Sequence, residues 1–470
     1  MTQANDSAPT YQDWRALVEK TLKGEPIESL NRTTAEGLPI APLYDGDLGP
    51  HAHFLGRPVD AARPWDLRVG VSHPDPGLAN RDLLKDLEGG AASAVIAIDP
   101  SGVKGVAIGS AAGLASALAD VVLEFAPIGL DAGFLGPQAA EWLASAAKGS
   151  PQAKLNLHLD PLSAMAEAGQ SLGPIEAHLQ SGAKVARRLA DIHPKAGLFL
   201  ASGRVVHEAG GGEAAELAFA AAAAVTYAKA LVSEGLPMAQ AWGGIVLGLS
   251  ADADYFATLA KLRAARLIWD RLTSACRVTV AARIEARSSR RMLTAQDPWT
   301  NMLRQTAAGV GAALGGADAI KLGYFTDALG CPTPFARRQS RNAQLVLMEE
   351  AHLGRVSDPG AGSGYVETLT DEVARAAWVR FQAIEAAGGL MEALAKGIIA
   401  DDVAKTLAAR PDQPKIVGVT AFPPTGQDPV EVDKPTIGAV EAPSSRLPGP
   451  DSHCLPLMPI RLSQAYEGVK

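Results

Sequence analysis

The chain has 470 residues, a net charge of −8, and 47% apolar but only 5% aromatic residues, which suits one large helix-on-sheet domain with extensions and excludes a disordered chain. The acidic balance and the lack of Lys/Arg blocks argue against a nucleic-acid or anionic-membrane partner. Three scattered cysteines, Cys276, Cys331 and Cys454, have neither pairing number nor metal-ligand spacing, so no disulfide framework and no metal site is expected, and a reducing cytoplasm is the simplest location.

Met1 to Tyr11 is polar and lacks the features of a signal or transit peptide. A short amphipathic helix with Trp14, Leu17 and Leu22 follows, then the extended, Pro-rich stretch Asn31 to Tyr44, a type of segment that wraps a neighbour; residues 1–62 read as helix and arm. Apolar strand-length runs then alternate with helical patterns, the beat of parallel strands joined by crossover helices. Strands are predicted near 66–72, 93–99, 126–132, 154–160, 197–203, 244–251, 278–285 and 318–325. Helices are predicted near 79–89, 110–123, 137–148, 174–191, 212–234, 254–275, 297–315 and 336–352. Eight of each give a (β/α)8 TIM barrel over residues 63–355, with an open doubly wound sheet as the alternative. Ala214 to Leu231 is mostly alanine and reads as a buried helix, since no apolar run reaches the ~18–20 residues of a membrane span.

Residues 356–412 read as a helical extension. It opens on the Gly-rich turn Asp358 to Glu367, which no Rossmann strand precedes, so a phosphate loop is not expected. Residues 413–470 hold Pro423, Pro424, Pro429, Pro435, Pro443, Pro448 and Pro450 and read as a surface-hugging linker.

Within each predicted strand one parity is bulky and aliphatic and the other small or polar. The second set includes Arg68/Gly70/Ser72, Gly129/Asp131, Asn156/His158/Asp160, Ala201/Gly203/Val205, Gly248/Ser250, Thr279/Ala281/Arg283/Glu285 and Lys321/Gly323. With the aliphatic set packed on helices, this set lines the axis, which in an ordinary barrel is filled by Val, Ile and Leu. Mid-strand glycine and alanine predict an axis wide enough for a chain-like ligand; polar residues at strand ends alone would mean only that they face loops.

The stretch Tyr255 to Trp269, followed by Leu293-Thr294-Ala295-Gln296-Asp297-Pro298-Trp299, resembles the "KLRAAR-x-x-W … LTAQD" segment of the adenosylcobalamin-dependent acyl-CoA mutases, of which methylmalonyl-CoA mutase is the best-known member. Asn31 to Tyr44 is similar to that family's entry segment. Asp358 to Glu367, with Trp378, Glu385 and Gly388-Gly389, is similar to its turn after the barrel. The resemblance implies a barrel threaded by the pantetheine arm of coenzyme A, an N-terminal arm that embraces a partner subunit, and a radical rearrangement whose hard step belongs to the cofactor.

Three active-site motifs depart from the family. "RPW-T-IRQY-A-G" stands here as Arg63-Pro64-Trp65-Asp66-Leu67-Arg68-Val69-Gly70, leaving Gly70 at the tyrosine position. "SGYH-x-x-EAG" stands as Ser202-Gly203-Arg204-Val205-Val206-His207-Glu208-Ala209-Gly210, leaving Val205 at the histidine position, and His207 reads as a loop histidine. "R-T-H-S-Q-T-S-G" keeps Arg283, Ser288 and Ser289 but has Glu285, which would crowd an anionic CoA. The cobalt-ligating D-x-H-x-x-G is also missing: Asp451-Ser452-His453 comes nearest and has Pro456 where the glycine should be, so a flavodoxin-like cobalamin domain is not expected in this sequence. The resemblance therefore implies the small, non-catalytic subunit of a heterodimeric methylmalonyl-CoA mutase. Its partner would be a catalytic mutase subunit, with adenosylcobalamin in the complex but not on a dedicated domain of this chain. No catalytic residue is expected; Arg63, Arg68, Arg283 and Ser288 would be vestigial CoA contacts. The alternative is an active barrel that uses a separate cobalamin-binding subunit, as isobutyryl-CoA-type mutases do.

Overall fold

The computed structural model describes residues 9–44, 56–57, 60, 63–426 and 428–468. Eight parallel strands, β1 (Asp66–Val71), β2 (Ser93–Ala97), β3 (Ile128–Asp131), β4 (Leu155–Leu159), β5 (Gly197–Ser202), β6 (Ile245–Ala251), β7 (Ile284–Ser288) and β8 (Ala319–Lys321), close into a barrel in which β8 pairs with both β7 and β1. The aliphatic parity, such as Leu67 and Val69, Ile128 and Leu130, or Leu247 and Leu249, joins the buried core beneath the helices.

One strand was displaced from its expected place. Residues 278–283 alternate like a strand, but Trp269 Nε1 donates to the Val280 carbonyl and Arg266 Nη1 to that of Ala282, so side chains of the preceding helix take acceptors a ladder would use. Pairing begins only at Ile284. On β5 the lumen set also differs. Leu198 and Phe199 both donate to the Gly244 carbonyl, and this irregularity shifts the parity. Phe199 stacks on Tyr227 of the jacket, Gly203 faces Glu216, and Leu200 and Ser202 instead flank Gly248.

The three basic residues of Lys261-Leu262-Arg263-Ala264-Ala265-Arg266 are buried and paired, which gives the motif a structural meaning. Lys261 meets Glu216 at 2.5 Å, Arg263 meets Asp358 and Glu367 at 3.0 and 2.9 Å, and Arg266 meets Asp318 at 3.1 Å. Helix Tyr255–Ala275 is thereby tied to helix Glu213–Ser233, to the turn opening helix Gly364–Ala386, and to the approach of β8. Helix Glu213–Ser233 has the length and apolar composition of a membrane span, yet 78% of its most apolar window is buried in the jacket, where alanines permit close approach.

The N-terminal helix Tyr11–Leu22 starts at a reciprocal cap between Thr10 and Asp13 and buries none of its residues. Beyond it, Glu36 accepts the Ala214 and Ala215 N–H groups at the start of helix Glu213–Ser233, pinning the arm to the barrel. Gly212 leaves room for that carboxylate, which a Cβ there would strike.

Residues 412–426 and 428–468 run around the C-terminal rim as a belt. Arg304 holds Val417, Cys331 bridges Asp433, and Val440 donates to Pro100. Leu447 then donates to Leu172, Ile460 to Glu208, and Leu462 to Arg291. Tyr466 Oη donates to the Asp412 carbonyl at 2.6 Å and closes the circuit.

Candidate functional site

The lumen is occupied by the protein's own charges. Glu285, fully buried on β7, accepts from Arg68 Nη1 and from Arg287 Nε, each at 2.5 Å. Arg68 also meets Asp66 and donates to Ser93 Oγ, while Arg287 Nη1 donates to Asp131 at 2.8 Å. The line Asp66–Arg68–Glu285–Arg287–Asp131 thus spans the axis. Burial alone would push the Glu285 carboxyl up, but the charges of Arg287 and Arg68 outweigh it and hold it well below the usual carboxylate range.

The expected wide axis is corrected here. A Cβ at Gly70 would lie 2.6 Å from Lys321 Cε, and one at Gly129 would lie 3.0 Å from His158 Cε1, so these glycines house neighbouring side chains rather than open space. His158 sits at the register irregularity between Asn156 and Leu159 with φ +49°, and this bend turns its ring into the lumen. Burial lowers its pKa to about 4, giving a neutral imidazole whose Nε2 lies 3.8 Å from Glu285. Its side chain is fully buried, so a ring nitrogen is present but sealed.

Three of the four candidate CoA contacts come together. Arg63, Arg68 and Arg283 line one cavity of about 350 Å³ at the N-terminal mouth, with Lys154, Asn156 and Lys195. Arg283 donates to the Gly243 carbonyl and to Asn156 Oδ1, and burial pushes its pKa down. Ser288 lies toward the opposite mouth, where its Oγ accepts from Gly323 N at 2.7 Å. At the family's tyrosine position, the Gly70 carbonyl accepts from the buried Tyr324 hydroxyl at 2.9 Å, so this phenol is spent on the backbone. Val205 is buried among apolar side chains in the short helix Arg204–Glu208.

His207, expected in a loop, is a fully buried member of that helix. Its Nε2 pairs with Ser289 Oγ at 2.9 Å and its Nδ1 lies 3.3 Å from Glu216. The order resembles a nucleophile–base–acid line, but Ser289 and His207 are both at 0% exposure, so no substrate reaches the hydroxyl. Lys261 and Arg291 neutralise the cluster through Glu216 and Asp252. Burial raises Glu216, yet Lys261 and His207 outweigh it and bring its pKa to about 2.

A corrin ligand does not fit the segment nearest to its motif. Asp451-Ser452-His453 lies extended in the belt, and the Asp451 carboxylate is taken by Arg446 and by Gly173 N, leaving it unable to orient His453. Arg287 was missed as a lumen residue, although it continues the polar parity of Arg283 and Glu285 on a strand that runs on to Ser288, whereas Lys321 was expected there.

A family description, methylmalonyl-CoA mutase, matches residues 61–445. The chain is 36% identical to the methylmalonyl-CoA mutase small subunit of Streptomyces virginiae, over 98% of this chain and 76% of that one. It is 34% identical to the small subunit of Propionibacterium freudenreichii subsp. shermanii, over 85% and 65%. It is 30% identical to the methylmalonyl-CoA mutase of Cereibacter sphaeroides, over 89% and 65%. The chain thus spans about two thirds to three quarters of the length of these relatives. The scaffold motifs, now seen as buried ion pairs, and a match running through the whole barrel have one source: the chain belongs to the methylmalonyl-CoA mutase family.

Proposed function

We propose that this chain is the small, non-catalytic subunit of a heterodimeric methylmalonyl-CoA mutase in the cytoplasm, serving by its shape beside a catalytic subunit that interconverts methylmalonyl-CoA and succinyl-CoA. The observation that carries this reading is the ionic line Arg68–Glu285–Arg287 across the axis, where a pantetheine arm would have to pass. The somewhat higher identity to chains named small subunit than to the Cereibacter sphaeroides mutase supports it. Adenosylcobalamin supplies the radical in such a complex and would be held by the partner. This chain's part is to present the arm around Glu36 and the helical jacket to the other subunit. Residual CoA contact belongs to the cavity with Arg63, Arg68 and Arg283.

Mass spectrometry of what co-elutes with the native protein tests the partnership, and a larger mutase chain in equal amount is expected. Mixing the purified chain with a separate cobalamin-binding subunit, adenosylcobalamin and acyl-CoA esters should give no turnover. Turnover in that mixture would overturn the reading in favour of an active barrel.

A further inference from the structure

The C-terminal mouth of the lumen gathers cations whose hydrogen-bonding capacity the protein does not fill. Arg287 is only 5% exposed; it spends Nε on Glu285 and Nη1 on Asp131, and its Nη2 is buried with no hydrogen-bond partner among the described residues. Glu285 is already shared with Arg68. Lys321, at the end of β8, lays its stem over Gly70 and makes no hydrogen bond or ion pair among the described residues. Arg204 makes one, from Nε to Ser202 Oγ at 3.2 Å.

These three cations share one field centred on Asp131, whose side chain is 52% exposed and opens the mouth to solvent. Burial, together with Arg287 and Arg204, depresses the Lys321 ammonium to about 8. Two further carboxyls face this mouth: burial pushes Asp160 up to about 7 against its bonds to Tyr227 and Ser163, and Asp327, also raised by burial, lies within the field of Lys321. An ionic cluster with a desolvated, unpartnered guanidinium nitrogen and two unpaired cations is completed by an anion.

We propose that this mouth binds a small oxyanion, a phosphate or a short carboxylate, between Lys321 Nζ, Arg204 and Arg287 Nη2. The C-terminal face is where barrels of this architecture place their ligand sites. The site needs neither coenzyme A nor a partner subunit, so it stands or falls apart from the function proposed above.

Isothermal titration of the full chain near pH 7 tests it, with inorganic phosphate and sodium succinate as separate arms and sodium chloride at matched ionic strength as the reference. Saturable heat from phosphate or succinate beyond chloride is expected, and the larger of the two identifies the anion. Lys321→Met keeps the stem over Gly70 and should weaken binding about tenfold, as should Arg204→Gln, since each removes one charged hydrogen-bond donor. Lys184→Met, on the exposed face of helix Ile175–Ile192, should leave it unchanged. Thermal unfolding without added anion verifies that each variant folds. Heats equal to those of chloride, or binding unaltered in both Lys321→Met and Arg204→Gln, would overturn the proposal.

Discussion

Glu285→Ala removes the central acceptor of the lumen and asks whether charge or apolar packing locks the barrel. In the variant Arg68 keeps Asp66 and Ser93, and Arg287 keeps Asp131, but Arg68 Nη1 and Arg287 Nε remain buried with nothing to accept them. Breaking a buried ion pair from one side costs ~3–5 kcal/mol, and the surviving partners place this case near the lower end, about 3 kcal/mol. Replacing two of the three, as in Glu285→Leu with Arg287→Met, removes the charge stranded on Arg287 while Arg68 keeps Asp66 and Ser93, and should recover part of the loss. Urea unfolding near pH 7, followed in parallel by circular dichroism and tryptophan fluorescence, measures both and checks that the transitions coincide. A single-variant loss below about 0.5 kcal/mol, the size of an ordinary surface change, would refute the reasoning. A double variant weaker than the single would do so too.

The Glu216 carboxyl titrates near 2 in the fold against an ordinary 4.5, so as pH falls the unfolded chain takes up its proton first. Its contribution, about 3 kcal/mol at ~1.4 kcal/mol per unit, is fully present above the ordinary value and lost as pH drops toward 2; Glu216→Gln should remove that acid limb, and an unchanged acid profile in the variant would count against it. Glu36→Ala strips two N–H acceptors from the start of helix Glu213–Ser233 and should cost about 1 kcal/mol, with faster proteolysis of residues 31–44 as the readout. Gly109→Ala drives a Cβ into the Glu441 carbonyl, which should cost about 1–3 kcal/mol and expose residues 428–447 to cleavage; an unaltered digestion pattern would show the belt to be looser than described.

The alternation that marked the strands was readable because a barrel strand packs one face on helices, and it held wherever the ladder was undisturbed, as in Leu67/Val69 and Leu247/Leu249. It misled at residues 278–283, where Trp269 and Arg266 claim the carbonyls, because side-chain donors arriving from another element leave no mark on local periodicity. The lumen shows the sharper limit. Glycine at 70 and 129 announces that something large comes close, but a sequence does not say whether that is a ligand or Lys321 and His158 from neighbouring strands. Likewise Arg68 and Glu285 stand far apart in the chain, and only ring closure brings them to 2.5 Å. His207 looked like a loop residue because its two flanking carboxylates, on Glu216 and Asp252, come from distant elements.

The circuit from Asp412 to Tyr466 fastens to loops that only a finished ring assembles, those after β2, β4, β5, β7 and β8. Contacts so remote in sequence are slow to form, so this segment is the buckle drawn tight after the hoop has been bent. A single cut in it would slacken five loops together while leaving the staves in place.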